Sequence, residues 1–126
     1  MSAAVLQRHV LVVEDDTALR ELYRSVLRAV GYVVIAVGDG LDALQWMESE
    51  RPDAVVLDLG LPRLSGRDVH RELQSSPYTQ DIPIVVVSGT DTSDLDLTQF
   101  ACILKKPIRP EALIAAVQNC LRRPKQ

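Results

Sequence analysis

Five short apolar runs, separated by longer segments with helical periodicity, constrain the possible folds of this chain more than any other feature. The runs hold four to six apolar residues each, and the first four are rich in valine. They begin at His9, Tyr32, Ala54, Pro83 and Phe100. Runs this short and this apolar are typical of strands buried on both faces, as in a parallel sheet. Strands that alternate with helices predict an α/β domain, doubly wound, with helices on both faces of the sheet.

The segments between the runs predict the helices. Apolar residues recur at helical spacing in residues 17–30, 41–50, 66–74 and 110–122. Asp16 or Thr17 can cap the first of these helices. The residues predicted to face the core are Leu19, Leu22, Tyr23, Val26, Leu27 and Val30 in the first helix and Leu41, Leu44 and Met47 in the second. Residues 91–99 are polar and ambiguous, so a helix there is expected to be short or irregular.

Length and charge limit the possible class of protein. A chain of 126 residues predicts one domain, with a core over about residues 9–121 and a basic tail or linker start at 122–126. The net charge of -3 gives no reason to expect a nucleic-acid partner. No apolar run approaches the roughly 20 residues of a membrane span, and residues 1–8 lack the parts of a signal peptide. We therefore expect a cytoplasmic protein without a membrane partner.

The cysteines and histidines do not suggest a metal site. Cys102 and Cys120 lack metal-ligand spacing, so they are interpreted as reduced, buried residues. His9 and His70 are interpreted as surface or packing residues.

Polar residues follow four of the five predicted strands. Glu14 and Asp15 come after the first strand, Asp58 closes the third, Ser88 follows the fourth and Lys106 follows the fifth. Parallel strands share a direction, so these residues meet at the carboxyl edge of the sheet, where open α/β sheets bind ligands. Each residue alone has an ordinary structural explanation as a cap, a turn former or a solvated charge. Their joint occurrence at strand ends favours a functional site.

Three carboxylates at one sheet edge repel one another and need a cation. Oxygen ligands with no His or Cys nearby indicate Mg²⁺. Such a cation would neutralise the charge of an incoming phosphoryl group, while a hydroxyl and an ammonium bind its other oxygens. Asp58 is then the nucleophile and forms an acyl phosphate.

Four motifs together resemble those of the response-regulator receiver domains of two-component signalling. The motifs are Val12-Val13-Glu14-Asp15-Asp16, Leu57-Asp58-Leu59-Gly60-Leu61-Pro62, Val87-Ser88-Gly89 and Lys106-Pro107. The resemblance extends from about residue 9 to residue 121. It implies a flavodoxin-like sheet of five parallel strands in the order 2-1-3-4-5 and a signalling switch phosphorylated by a histidine kinase or a phosphotransfer protein.

The resemblance also implies a role for each site residue. Asp58 would be the phosphoacceptor. Asp15 would bind Mg²⁺ directly, Glu14 through water, and Gly60 through its backbone carbonyl. Lys106 would bind the phosphoryl group, and the Ser88 hydroxyl would move toward it. The peptide bond between Lys106 and Pro107 is expected to be cis. The domain would catalyse its own phosphorylation and slow dephosphorylation without being a conventional enzyme.

Two departures from the family pattern concern switching. Ile103 stands where the family often has an aromatic residue, so ring rotation cannot report phosphorylation here. Only 17 residues separate Ser88 from Lys106, roughly one helical turn fewer than usual. The missing length falls in the fourth helical segment. The surface through which many receivers dimerise or meet partners is therefore expected to differ.

Three alternatives remain open from the sequence. Residues 38–43 match GxGxxA, and Asp58 ends the next strand about 20 residues on, as in a dinucleotide-binding module. That interpretation leaves four residues unexplained: Glu14, Asp15, Ser88 and Lys106. An aspartyl-phosphate phosphatase of the haloacid dehalogenase kind would need an acid where Gly60 stands. The third is a degenerate receiver that acts only as a docking module.

Overall fold

Residues 7–122, which are the residues that the computed structural model describes, contain five strands and four α-helices that alternate except between the last two strands. The strands are β1 His9–Val13, β2 Val33–Val37, β3 Ala54–Asp58, β4 Ile84–Ser88 and β5 Cys102–Lys105; the helices are α1 Thr17–Ala29, α2 Gly40–Met47, α3 Gly66–Gln74 and α4 Pro110–Arg122. None of these helices is long and apolar enough to cross a membrane. Residues 1–6, and residues 123–126 of the predicted basic tail, lie outside the described residues.

The sheet has the predicted flavodoxin-like topology. All neighbouring strands are parallel, in the order β2-β1-β3-β4-β5. The chain moves to one side of β1 to form β2 and to the other side to form β3. This reversal creates a crevice at the carboxyl ends of β1 and β3, the position at which such sheets bind ligands.

The strands bury side chains on both faces. Leu11 and Leu57 belong to a core that α2 and α3 cover, whereas Val10 and Val56 belong to a core that α1 and α4 cover. This two-sided burial explains why the runs are continuously apolar and do not alternate with polar residues. Packing on both faces of the central strands therefore positions the residues at their carboxyl ends.

Side-chain caps set the starts of three helices. Asp16 accepts a hydrogen bond from the amide of Leu19 at the start of α1, which decides between the two predicted caps. Asp39 caps α2 and Ser65 caps α3 in the same way. Each cap satisfies an amide that the helix leaves without an internal partner.

Several sequence predictions about helix faces and strand starts are wrong. Leu22, Val30 and Leu41 are exposed, although they were expected in the core. The buried stripe of α1 instead centres on Tyr23 and Leu27, which lie four residues apart and so share a face of the helix. Leu22 directly precedes Tyr23 and therefore lies on a different face. The helices α1 and α2 also end earlier than predicted. The strands β2, β4 and β5 begin one or two residues later than predicted.

The connection between β4 and β5 contains no α-helix. Its one helical element is the 3-10 helix Leu97–Gln99, as the shortened spacing predicted. Side chains of this segment form hydrogen bonds with its own backbone. Asp91 accepts from the amide of Ser93, and Asp96 accepts from the amide of Thr98. Such local bonds compete with helix formation.

Two contacts tie this connection to α3. The Phe100 ring lies 4.5 Å from the ring of His70, measured between centroids. Arg67 forms an ion pair of 2.9 Å with Asp94. Burial lowers the pKa of His70, so a neutral, packing imidazole agrees with the role predicted for this residue.

Candidate functional site

The polar residues that follow the strands lie at one edge of the sheet. Asp58 is the last residue of β3 and is aligned with Val87 of β4. Ser88 is the last residue of β4 and is aligned with Lys105 of β5. The amide of Lys106 donates to the carbonyl of Ser88 at 2.8 Å. The register therefore places the ends of β3, β4 and β5 side by side.

Three carboxylates form a cluster at this edge. Oxygen atoms of Glu14, Asp15 and Asp58 all lie within 4.8 Å of one another. Glu14 is 1% exposed and Asp58 is 4% exposed, whereas Asp15 is open to solvent. Buried carboxylates require compensating charge or hydrogen bonds. The donor set consists of oxygen atoms alone, which suits a hard divalent cation such as Mg²⁺.

Backbone amides orient the two buried carboxylates. Glu14 accepts a hydrogen bond at Oε2 from the amide of Asp16, at 3.1 Å. Asp58 accepts at Oδ1 from the amide of Gly60, at 3.0 Å. Burial, the largest influence, raises the pKa of Glu14, although Lys106 and the Asp16 amide act in the opposite direction.

The ammonium group of Lys106 lies between the two buried carboxylates. Its Nζ is 2.9 Å from Glu14 Oε1 and 3.3 Å from Asp58 Oδ2. Burial acts to lower the pKa of Lys106, but the hydrogen bonds and charges of Glu14 and Asp58 outweigh burial, so the pKa is raised. The peptide bond after Lys106 is cis, as the resemblance implied. One cation therefore offsets part of the negative charge of the cluster.

Ser88 is held by Thr90, a residue that the sequence analysis did not include in the site. The Ser88 side chain is 2% exposed. Its Oγ lies 3.0 Å from Thr90 Oγ1 and accepts a hydrogen bond from the Thr90 amide at 3.0 Å. The polar sequence Ser88-Gly89-Thr90 after a buried strand is the signal that could have suggested this pair.

Arg20 is a second residue that the sequence analysis missed. Its Nη1 donates to the carbonyl of Glu14 at 3.0 Å and to the carbonyl of Asp15 at 3.4 Å. A basic residue one turn into a helix gives no sequence signal of its own, because this position is usually solvated. The contact depends on how α1 packs after β1.

The glycines of the GxGxxA segment have packing roles. A Cβ on Gly38 would lie 3.1 Å from Arg20 Nη1, and a Cβ on Gly40 would lie 2.4 Å from the carbonyl oxygen of Leu64. Asp39 caps α2 and forms an ion pair with Arg63. These contacts explain the glycines without a bound dinucleotide.

Gly66 allows α3 to begin directly against the end of β3. A Cβ at this position would lie 2.3 Å from the carbonyl oxygen of Asp58 and 2.6 Å from the Cα of Leu59. The amide of Gly66 donates to the carbonyl of Leu59 at 3.2 Å. Close backbone approach therefore fixes the turn that carries Asp58 and Gly60.

Comparisons with known proteins agree with this geometry. The family model described as "Response regulator receiver domain" matches residues 10–118. Response regulator MprA of Mycobacterium ulcerans (strain Agy99) is 40% identical over 120 residues, which are 92% of this chain and 51% of that protein. DNA-binding response regulator MtrA of Mycobacterium leprae (strain TN) is 38% identical over 122 residues, which are 94% of this chain and 53% of that protein. The chain thus spans about half the length of these curated relatives.

A solved structure is similar over almost the whole chain. It is the receiver domain of the sensor histidine kinase PA1611 from Pseudomonas aeruginosa PAO1, with a magnesium ion coordinated in the active site cleft. The TM-score is 0.84 at 26% identity, and the match covers 94% of this chain and 100% of that one.

Proposed function

Because this chain belongs to the response-regulator receiver domain family, the phosphoacceptor domains of two-component signalling, we propose that it accepts a phosphoryl group on Asp58. The observation that carries this proposal is the cluster of Glu14, Asp15 and Asp58 with Lys106 at the carboxyl edge of the sheet. Family membership argues against the dinucleotide-binding and phosphatase alternatives.

In this proposal Asp58 is the nucleophile. One carboxylate oxygen attacks the phosphorus atom of a phosphohistidine, the phosphorus–nitrogen bond breaks, and the donor imidazole leaves with the electron pair and takes up a proton. The amide of Gly60 holds Oδ1 of Asp58 at 3.0 Å, which limits rotation of the carboxylate. The reaction therefore starts from an oriented nucleophile.

Lys106 and Ser88 would bind the transferred group. The ammonium already contacts Oδ2 of Asp58, so a phosphoryl group on Asp58 would lie within its reach. A shift of the Ser88 hydroxyl toward the phosphoryl oxygens requires that it leave Thr90, because its Oγ now lies 3.0 Å from Thr90 Oγ1. The pair of Ser88 and Thr90 is thus the proposed switching element.

Mg²⁺ is the proposed cofactor. Asp15 and Asp58 would bind it directly, Glu14 through water, and Gly60 through its backbone carbonyl. When bound, the cation would neutralise negative charge on the carboxylates and the incoming phosphoryl group. The oxygen-only donor set supports this choice, as does the magnesium ion in the similar PA1611 receiver domain.

The proposed partners follow from the family. A histidine kinase or phosphotransfer protein would supply the phosphoryl group, and the cytoplasm is the proposed location. The expectation of no nucleic-acid partner applies to residues 1–126 only. MtrA is a DNA-binding response regulator, so we propose DNA as a partner of a longer protein that contains this domain. Residues 9–121 are the proposed extent of the receiver, with 122–126 as a tail or linker start.

Phosphorylation with acetyl phosphate and Mg²⁺ tests the proposed function. Intact-mass spectrometry should show one added phosphoryl group on the wild type and none on Asp58→Asn, because Asn lacks the nucleophilic carboxylate. Asp81→Asn removes an exposed carboxylate just before the start of β4, at the edge of the sheet opposite the carboxyl ends of the strands, and should leave labelling unchanged. Equal labelling of Asp58→Asn and the wild type would refute the assignment. Absence of labelling in the wild type would favour the docking-module alternative.

A further inference from the structure

We propose that Arg20 is a positioning residue, which holds the backbone of Glu14 and Asp15 so that their carboxylates face a common cation. This inference deepens the proposed function and rests on it. Arg20 is half-buried on the first turns of α1. It touches the main chain of two candidate metal ligands and makes no contact with their carboxylates.

The guanidinium bridges two successive carbonyl groups. Its Nη1 lies 3.0 Å from the Glu14 oxygen and 3.4 Å from the Asp15 oxygen, and its Nη2 lies 3.5 Å from Thr17 Oγ1. Backbone carbonyls near the protein interior need donors. A single nitrogen that donates to both carbonyls restrains the two successive peptide units that begin at Glu14 and Asp15. The directions in which the two side chains leave the backbone are then fixed as well.

Gly38 provides the space for this guanidinium. A Cβ at position 38 would lie 3.1 Å from Arg20 Nη1 and 3.8 Å from Cζ, and apart from its two chain neighbours it would meet no other described heavy atom within 4 Å. The φ angle of Gly38 is outside the left-handed region, so alanine fits its backbone. The absence of a side chain at Gly38 therefore leaves room for the guanidinium of Arg20 in its present position. This relation predicts that the effects of substitutions at the two positions depend on each other.

A double-mutant cycle on Mg²⁺ affinity tests the proposal. The variants are Arg20→Ala, Arg20→Lys, Gly38→Ala and the double variant Arg20→Ala with Gly38→Ala. MgCl₂ is titrated while the amide signals of Asp58 and Gly60 are followed by NMR. Arg24→Ala is the matched control, because Arg24 lies one turn further along α1 and pairs only loosely with Glu21, at 3.9 Å.

Arg20→Ala should weaken Mg²⁺ affinity by roughly tenfold, as for other residues that orient metal ligands. Arg20→Lys should recover part of this loss, because an ammonium can donate to the two carbonyls but has no second nitrogen to reach Thr17 Oγ1. Gly38→Ala should weaken affinity by less than Arg20→Ala when Arg20 is present, by shifting the guanidinium a few tenths of an ångström. In the Arg20→Ala background the same substitution should have no effect. Labelling by acetyl phosphate should fall at low Mg²⁺ and recover at saturating Mg²⁺.

Two results would overturn the inference. One is an Arg20→Ala variant that binds Mg²⁺ as tightly as the wild type. The other is a Gly38→Ala effect that persists in the Arg20→Ala background. If Arg20→Ala does not fold, Gly38→Ala and Arg20→Lys still decide the question. A wild type that binds Mg²⁺ with the predicted dependence on Arg20 but is not labelled on Asp58 would refute the proposed function and leave the positioning role supported.

Discussion

At the scale of single residues, Lys106 has more than the phosphoryl-binding role that the sequence suggested. A position at the rim of the sheet predicts that removal of the ammonium leaves the fold unaffected. The structure changes this expectation, because Lys106 lies 2.9 Å from Glu14, which is almost fully buried. A buried carboxylate that loses its only described ammonium contact bears an uncompensated desolvation penalty.

Lys106→Met should therefore destabilise the metal-free protein. We expect a loss of about 1–3 kcal/mol in the free energy of unfolding, the usual penalty for leaving a buried polar group without a partner. Thermal unfolding in EDTA measures this loss, and millimolar Mg²⁺ should reduce it because the cation replaces the missing charge. Lys105→Met makes the same change on the exposed neighbouring side chain and serves as the control. Equal unfolding midpoints for Lys106→Met and Lys105→Met in EDTA would contradict the charge-balance argument.

At the scale of secondary-structure elements, the connection between β4 and β5 distinguishes this domain from the usual family pattern. It has a 3-10 helix where the sequence had suggested a short or irregular helix. Asp, Ser and Thr side chains satisfy the local backbone amides, which removes the advantage of a helix. The Leu97 side chain is 67% exposed. The segment is held by the contacts of Asp94 and Phe100 with α3 and by Leu95, which packs against the core.

Residues 91–99 should consequently show the fastest amide hydrogen exchange between β1 and α4. Few buried apolar contacts and exposed backbone hydrogen bonds give low local stability. Beryllofluoride, a phosphoryl mimic, should slow exchange there if Ser88 and Thr90 rearrange and order the segment that follows them. Exchange within α3 provides an internal reference. Strong protection of residues 91–99 without any ligand would show that the segment is well packed and that this expectation is wrong.

At the scale of the whole molecule, the carboxylate cluster links cation binding to stability. Glu14, Asp15 and Asp58 lie on loops and strand ends that folding brings together. The unfolded chain does not contain this arrangement, so a cation that binds the cluster stabilises the folded state. The gain in the free energy of unfolding on addition of the cation therefore reports how tightly the folded protein binds it.

Mg²⁺ should raise the unfolding midpoint of the wild type. If the dissociation constant is near 1 mM, 10 mM Mg²⁺ would contribute about 1.4 kcal/mol, which corresponds to roughly 3–6 °C for a domain of this size. Calorimetry in EDTA and in MgCl₂ measures the shift. Asp15→Asn should reduce it, whereas Asp81→Asn should not. A midpoint that does not respond to Mg²⁺ would count against the proposed metal site.

The sequence by itself determined the sheet and the location of the site. Continuous apolar runs predict strands that are buried on both faces, and helical segments between most of them predict a parallel sheet, whose strand order the family resemblance implied. The polar residues at the ends of β1, β3, β4 and β5 must then meet at one edge. The parallel direction of the strands is sufficient to predict that these polar residues share one edge of the sheet: Glu14, Asp15, Asp58, Ser88 and Lys106. The assignment of Mg²⁺ ligation to the Gly60 carbonyl, and the role of each residue in phosphoryl transfer, stay predictions.

Only the tertiary structure decided which neighbours these residues have. The contact of Arg20 with two carbonyls, the close approach of Gly66 to β3 and the pairing of Ser88 with Thr90 depend on how the ends of elements pack. The exposure of Leu22 and Leu41 depends on the rotation of each helix against the sheet. Periodicity along the sequence reports which residues share a face. It does not report which neighbour that face meets, because those contacts join residues from different elements.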